Sequence, residues 1–400
     1  MRFLTLLLFV VVSVGGMFAQ KAYRPIKTAL KAKNGKDALA SVRKLETDSV
    51  HASDPKLYLF GIEAYQLMND VENEKMYLKK NADTTAFFNS TLGIFEYALK
   101  CDSVERYLQQ SIGKKPKYRK QNNSLVKQYV QNLKVAANYY YTRKNYANAV
   151  RYYDMILKTQ SALTDEKTKE IFTDDEVRQS AFRHLYSNYI VENYKSVPLY
   201  KDLALQDTLQ RCLIYEVLAK SAAQQQDTVK YMEYLYTGIS KYPRHSFFFT
   251  NIADRYAHDG DYKRILALAD TLLLTDSTNI VLLEGKCVAL INLKQYHKAI
   301  ASAEKCLQSD STLLSSYYYI GACYCNLAGE VVLPTNINST TYRKAYTERK
   351  DYYTKALPYL EHFRQQAPEQ KKYWAPLLYK IYLNLNMGAK FEEIDRILKE

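Results

Sequence analysis

Apolar residues recur along most of the chain at spacings of three and four, which is the pattern of one buried helix face, and short polar stretches separate these segments. Between residues 212 and 368 the pattern repeats at an interval of 34 residues. Small residues carry this repeat, each four positions after a bulky one: Tyr215 and Ala219, Phe249 and Ala253, Leu283 and Cys287, Tyr317 and Gly321. A 34-residue period is the length of one helix–turn–helix hairpin, and such hairpins bury their apolar faces by stacking on their neighbours. The sequence therefore predicts an all-α chain, an α-solenoid of stacked antiparallel helix hairpins.

The packing positions of these hairpins resemble those of the tetratricopeptide repeat (TPR) family. Three residues after each small residue stands another packing residue: Ala222, Tyr256, Leu290 and Tyr324. In the third unit Ala299 is the small residue that the family places where the second helix meets the first. The resemblance implies a right-handed superhelix in which the first helix of each hairpin lines a concave groove. It also implies that the groove binds a peptide or a partner protein.

The regularity of the repeat varies along the chain. Residues 20–112 are interpreted as degenerate N-terminal helical hairpins, and residues 113–121 as a basic loop or hinge. Residues 122–400 are predicted to form the TPR array, which ends in a capping helix pair. The second-helix residues of the fourth unit come later than the period requires, so we expect an insertion at about 328–350. This excursion should begin as a loop and then lengthen the second helix.

The first 19 residues have the features of a secretory signal peptide. Met1 and Arg2 precede an apolar run from Phe3 to Val14, and Ala19 is a suitable cleavage residue. We therefore expect cleavage between Ala19 and Gln20 and a periplasmic or secreted protein, with a retained N-terminal anchor as the alternative. No later stretch reaches the about 18 apolar residues of a membrane helix, so the mature chain is not expected to be an integral membrane protein.

Lysine and arginine exceed aspartate and glutamate by 56 to 42, a net charge of +14. In an exported protein this excess favours anionic envelope material over a nucleic acid, and no nucleic-acid partner is predicted. A plainer interpretation carries more weight, because most of the basic residues are scattered along helices as solvated faces.

Motifs for catalysis, metal binding or cofactor binding are not evident in the sequence. The six histidines are isolated from one another, and neither a glycine-rich phosphate loop nor a nucleophile motif occurs. Cys287 and Cys306 occupy positions for small packing residues and are expected to be buried thiols, with a disulfide as the lesser alternative. The sequence thus predicts no catalytic, cofactor-binding or metal-binding residues and a protein that is not an enzyme.

Tyrosine is frequent, with 38 residues that include the triplets 139–141 and 317–319. Consecutive helical residues point in different directions, so one ring of each triplet should pack inward while another faces the groove. The predicted groove residues are Glu216, Lys220, Thr250, Asp254, Glu284, Val288 and Tyr318. The predicted function is a non-enzymatic interaction scaffold of the bacterial envelope, and the alternative is a glycan-binding helper in polysaccharide uptake.

Aspartate is followed unusually often by serine or threonine and then by an aliphatic residue or threonine. This triplet resembles the O-glycosylation acceptor of exported proteins in some Gram-negative bacteria, which suggests an exported member of the TPR family from such a host. The candidate acceptors are Ser49, Thr84, Ser103, Thr208, Thr228, Ser277 and Ser311. Aspartates of this kind also cap helices and form turns, and the two interpretations stand equally.

Overall fold

The computed structural model describes residues 21–163 and 171–399, and these residues fold into helices joined by short turns, with no β-strand among them. The prediction of an all-α chain of helical hairpins is confirmed. The chain divides into two compact units at the junction between Asp227 and Thr228. The predicted signal segment lies outside the described residues.

The first unit contains ten α-helices and one 3-10 helix within its described part. They are α1 (Arg24–Lys31), α2 (Gly35–Glu46), α3 (Ser49–Ala52), α4 (Pro55–Tyr77), α5 (Thr84–Ile112), α6 (Arg119–Thr142), α7 (Tyr146–Leu163), α8 (Asp174–Ile190), the 3-10 helix (Tyr194–Tyr200), α9 (Lys201–Ala204) and α10 (Arg211–Gln224). The long helices α4 and α5 form one hairpin, and α6 and α7 form the next. Helix α8 packs against the 3-10 helix and α9, which together take the place of a regular second helix.

The second unit consists of nine helices in its described residues. They are α11 (Thr228–Lys241), α12 (Ser246–His258), α13 (Tyr262–Leu273), α14 (Ile280–Asn292), α15 (Tyr296–Ser309), α16 (Leu314–Glu330), α17 (Thr340–Gln366), α18 (Lys371–Asn384) and α19 (Gly388–Lys399). From α12 onward they pair as four consecutive hairpins, and α11 packs on α12. None of the helices described in either unit is both long enough and apolar enough to cross a membrane.

The small residues that carry the sequence repeat lie where helices meet. Ala219, Cys287 and Gly321 are buried, and Ala253 is half-buried. Their bulky partners Tyr215, Phe249 and Leu283 are buried as well. A small side chain in the middle of a helix allows its neighbour to approach closely, and the bulky residue one turn earlier fills the space beside it.

Left-handed residues that follow four of the first helices keep the same period and extend it by one repeat. Glu192, Gln226, Gly260 and Lys294 have φ values of 59°, 58°, 73° and 57°, and they follow one another at intervals of 34 residues. A residue in this left-handed conformation commonly ends a helix. The 34-residue period therefore extends back to α8, one repeat before residues 212–368 in which small and bulky residues carry it, and the architecture is TPR-like.

The insertion predicted at about 328–350 lies in the hairpin of α16 and α17, and it consists of a loop followed by a long helix. Helix α16 ends at Glu330, the loop covers residues 331–339, and α17 has 27 residues. Arg349 Nη2 donates a hydrogen bond of 2.7 Å to the carbonyl oxygen of Val331, which ties the loop to α17. Two tyrosine rings on the first turns of α17, Tyr342 and Tyr346, stack with centroids 6.1 Å apart.

The segment predicted to be a basic loop or hinge, residues 113–121, lies within the first unit. The buried carboxylate of Glu105 on α5 accepts hydrogen bonds from the backbone N–H groups of Lys117 (2.6 Å) and Tyr118 (2.8 Å). Arg119 Nε lies 3.5 Å from Oδ1 of the buried Asp102. These buried acidic groups anchor the loop to α5, and the boundary between the two units falls more than a hundred residues further along the chain.

Candidate functional site

The first helices of the hairpins in the second unit form a continuous row. Helix α12 packs on α14, α14 on α16, and α16 on α18, whereas successive second helices make at most slight contact with one another. Contact between first helices brings their side chains together on one side of the stack, and the second helices splay apart on the other side. We call these two sides of the second unit the inner row and the outer side.

Five of the predicted groove residues lie on the inner row. Because Thr250, Glu284 and Tyr318 are separated by one repeat each, they occupy equivalent positions on three adjacent helices. Thr250 and Asp254 are exposed on α12, and Glu284 and Val288 are half-buried on α14. The helix packing therefore brings the predicted residues of this unit into one surface.

Two of these groove residues also pack against neighbouring helices. The hydroxyl of Ser315 on α16 donates a hydrogen bond to the carboxylate of Glu284 on α14. The half-buried ring of Tyr318 lies 5.5 Å, centroid to centroid, from both Phe363 and Tyr373. Burial raises the pKa of the Tyr318 hydroxyl, so this group remains a neutral donor and acceptor in the physiological range.

The remaining predicted groove residues, Glu216 and Lys220, lie on α10 in the first unit. Both are half-buried, and their side chains form an ion pair of 3.1 Å across one helical turn. A pair with this spacing stabilises its own helix by only about 0.3–0.5 kcal/mol. Glu216 and Lys220 therefore belong to the first unit and are not part of the inner row.

Most rings of the tyrosine triplets pack against other helices. Tyr140 is buried and stacks on Tyr152 at a centroid distance of 5.2 Å. Tyr139 is half-buried, and the guanidinium of Arg143 lies 3.9 Å from its ring centroid. Burial raises the pKa of Tyr141 to about 12. The triplets thus supply inter-helix packing, with only part of each outer ring accessible.

A cleft between α4 and α6 in the first unit was not predicted from the sequence. Its volume is about 620 Å³, and it separates the first helices of two successive hairpins. Helix α4 contributes Lys56, Phe60, Glu63 and Gln66, and α6 contributes Gln121, Ser124, Leu125 and Gln128. Gln66 Nε2 donates a 3.4 Å hydrogen bond to Tyr129 Oη across the two helices. The available signal was the spacing of three or four residues between these side chains on each helix.

All six cysteines lie in the described part of the chain, where none forms a disulfide and five are buried. Cys287 and Cys306 are packing residues, and the lesser alternative of a disulfide at these positions does not occur in the structure. Burial raises the pKa of Cys323 and of Cys325 to about 12. The thiolate is the form that acts as a nucleophile or a metal ligand, and at neutral pH these two buried cysteines carry very little of it.

The structure gives most of the aspartates in the Asp-Ser/Thr triplets a local role. Asp48 and Asp83 are N-caps, with hydrogen bonds of 3.1 and 3.0 Å from backbone N–H groups. Asp207 and Asp310 accept similar bonds of 3.0 and 2.9 Å within turns. Of the seven candidate acceptors only Thr84 is half-buried, and the other hydroxyl-bearing residues are exposed. Capping and turn formation therefore explain these four aspartates, and glycosylation of the neighbouring residues remains a prediction.

Comparison with known proteins found no matching family model and no matching curated protein. Solved structures with some similarity are themselves helical-repeat proteins. The C-terminal part of a TPR repeat-containing protein from Cytophaga hutchinsonii is 12% identical, with 63% of this chain and 95% of that chain covered and a TM-score of 0.37. The P58(IPK) TPR domain is 12% identical, with 95% and 98% covered and a TM-score of 0.27. Yeast Tom70 is 10% identical, with 88% and 89% covered and a TM-score of 0.31. Similarities at this level of identity and TM-score show nothing about function.

Proposed function

We propose that this protein is a non-enzymatic interaction scaffold of the bacterial envelope, exported to the periplasm or the cell exterior, and that it binds an extended segment of a partner protein. The observation that carries the proposal is the inner row, in which α12, α14 and α16 pack side by side. Adjacent first helices present converging side chains over the length of several hairpins, which suits an extended ligand.

The side chains of the inner row favour a segment that carries basic and apolar residues. Asp254 is an exposed carboxylate on α12, and Glu284 is a second carboxylate on α14. Val288 and Tyr318 are half-buried and supply apolar area beside these charges. A ligand with alternating basic and apolar side chains would meet complementary groups on each helix in turn.

Site-specific photo-crosslinking tests the location of the binding surface. A photoreactive amino acid at position 254 should trap a partner from an envelope extract of the native host, and the same residue at position 304 should not. Both positions are exposed, but residue 254 is on first helix α12 and residue 304 is on second helix α15. Equal trapping at the two positions would refute binding at the inner row.

Substitutions provide the energetic test. We expect Asp254→Lys and Glu284→Lys to weaken partner binding by about 1–3 kcal/mol each, the usual range for an interface anchor. Glu304→Lys on the outer side makes the same charge change and should have little effect. Tyr318→Ala is expected to weaken binding by a similar amount, and because this ring packs on Phe363 and Tyr373 its effect must be corrected for lost stability. Charge reversal of Lys114, Lys115 and Lys117 should matter less.

The cleft between α4 and α6 favours the alternative function, a glycan-binding helper. Amide groups from three glutamines line it together with the ring of Phe60, while its charged residues are one lysine and one glutamate. Amides both donate and accept hydrogen bonds, as sugar hydroxyls require, and an aromatic face suits the apolar side of a pyranose. Calorimetric titration with maltotriose, cellotriose and mannotriose tests this candidate. Binding that is lost in Gln66→Ala and Gln128→Ala would establish it, and no binding to any of the three sugars would dismiss it.

A further inference from the structure

The outer side of the second unit contains a cleft that the proposed function does not use. It lies between second helices α13 and α15, and it has a volume of about 510 Å³. The cleft exists because contact is concentrated on the inner row, which leaves the second helices apart. Leu283 of α14 contributes to the cleft between them. We call this feature the outer cleft.

The outer cleft carries an excess of positive charge. Lys286, Lys298 and Lys305 line it, and the single carboxylate in its lining is Asp270. Lys286 Nζ pairs with Asp270 Oδ1 at 2.6 Å, so that these two charges offset each other. Lys298 Nζ donates to the neutral amide oxygen of Gln295 at 3.0 Å. Two lysine charges on α15 therefore face the cleft without an acidic group in its lining to balance them.

The side chains that α15 contributes to the outer cleft are spaced so that a second helix could pack along α15. Lys298 and Lys305 are two helical turns apart, a rise of about 10 Å, and both line the cleft. Between them on the same face stand Ala301 and Ser302, whose small side chains leave room for close approach. Across the cleft Leu274 is 88% exposed, which gives an apolar contact that no described residue covers.

We propose that the outer cleft docks an acidic amphipathic helix of a partner protein. Carboxylates seven residues apart on that helix would lie opposite Lys298 and Lys305. Its apolar residues between the carboxylates would contact Ala301 and Leu274. The positive charge of the outer cleft favours an acidic segment over a basic one. The small residues of α15 lie between two lysines, so the matching helix has an apolar patch with an acidic residue at each end.

A synthetic peptide tests the proposal on the full mature chain. The probe is a 16-residue helical peptide, a length we choose, with glutamates seven positions apart and two leucines between them on one face. Fluorescence anisotropy should show micromolar binding that weakens with added salt. Lys298→Glu combined with Lys305→Glu should raise the Kd about tenfold or more, since attraction becomes repulsion at two sites. Absence of binding by the probe would overturn the proposal.

Two further variants distinguish binding in the outer cleft from a general effect of surface charge. Lys344→Glu combined with Lys350→Glu makes the same change in net charge on exposed lysines of α17 and should alter the Kd less than twofold. Ala301→Trp fills the cleft without changing charge and should also weaken binding about tenfold. An equal loss of affinity in the α17 double variant, or no loss in Ala301→Trp, would show that the lysines act only as surface charge and would contradict the proposal.

The last control distinguishes a helix from a flexible polyanion. Replacing both leucines of the probe by alanine should abolish most of its affinity. Polyglutamate of the same length should bind at least about tenfold more weakly than the probe, because it lacks the apolar contact. Equal binding of polyglutamate would mean that the cleft attracts anionic polymers in general, and it would overturn the proposal of an amphipathic helix.

Discussion

The sharpest test of the packing concerns two glycines in the first unit, Gly61 on α4 and Gly93 on α5. A Cβ atom added to Gly61 would lie 2.1 Å from the ring of Tyr97, and one added to Gly93 would lie 2.4 Å from the ring of Tyr65. The two tyrosine rings are themselves 5.6 Å apart. Each ring therefore rests on the glycine of the opposite helix, and this reciprocal arrangement holds the α4–α5 hairpin together.

The expected cost of Gly61→Ala follows from two opposing effects. Overpacking a buried site typically costs about 1–3 kcal/mol, and replacing a helical glycine by alanine returns about 1 kcal/mol of helix propensity. Tyr97 has little freedom to move, because it is 2% exposed and its hydroxyl donates to Glu46 at 3.1 Å. We therefore expect a net destabilisation of about 1–2 kcal/mol, which lowers the Tm of a unit of this size by about 2–8 °C.

A matched glycine provides the control. Gly329 lies in α16, where nothing stands within 4 Å of an added Cβ atom. Gly329→Ala should leave stability unchanged or raise it by up to about 1 kcal/mol. The assay is thermal unfolding by circular dichroism, with hydrogen exchange to localise the change to α4 and α5. Equal Tm values for the two variants, or a stabilised Gly61→Ala protein, would refute the packing argument.

Three further predictions address acidity, the basic loop and export. Burial lowers the pKa of His184 to about 4, whereas the same imidazole in the unfolded chain has a pKa of about 6.5. As the pH falls from 6.5 to 4, the unfolded chain therefore takes up a proton that the folded chain does not, and the free energy of unfolding should fall by up to about 3 kcal/mol. Urea titrations of His184→Gln at both pH values should lack this loss. Glu105→Ala removes the acceptor for two backbone N–H groups, so the amides of Lys117 and Tyr118 should exchange at least about tenfold faster, whereas Glu304→Ala should leave them unchanged. Intact-mass measurement on protein from the native host should show a chain that starts at Gln20 and is heavier than its sequence mass; an unmodified mature chain would leave the Asp-Ser/Thr triplets as caps and turns.

Much of the fold could be predicted because small and bulky residues mark the helix contacts directly. Where those residues are exchanged, the sequence signal disappears. In α8 the position for a small residue is occupied by Leu185, and the position for a bulky one by Ala181. The second helix of that hairpin is also replaced by a 3-10 helix that contains Pro198. The hairpin still keeps the period in its turn at Glu192, which only the backbone conformation reveals.

The candidate surfaces were predictable to different degrees. Equivalent positions in a regular repeat fall on adjacent helices, so Thr250, Glu284 and Tyr318 could be assigned to one surface from their spacing. The anchoring of the basic loop depends on Glu105, a buried carboxylate at a position that looks like any exposed glutamate in the sequence. Both clefts depend on how far particular helices splay apart, which no local pattern specifies. These features are set by tertiary packing.

Hydrogen exchange on the complex with the captured partner distinguishes binding at the inner row from binding elsewhere on the protein. If the inner row binds an extended segment, peptides from α12, α14 and α16 should become protected in the complex, and the same peptides of Asp254→Lys should be protected less at equal partner concentration. Protection confined to α13 and α15, or to the basic loop at residues 113–121, would contradict binding at the inner row.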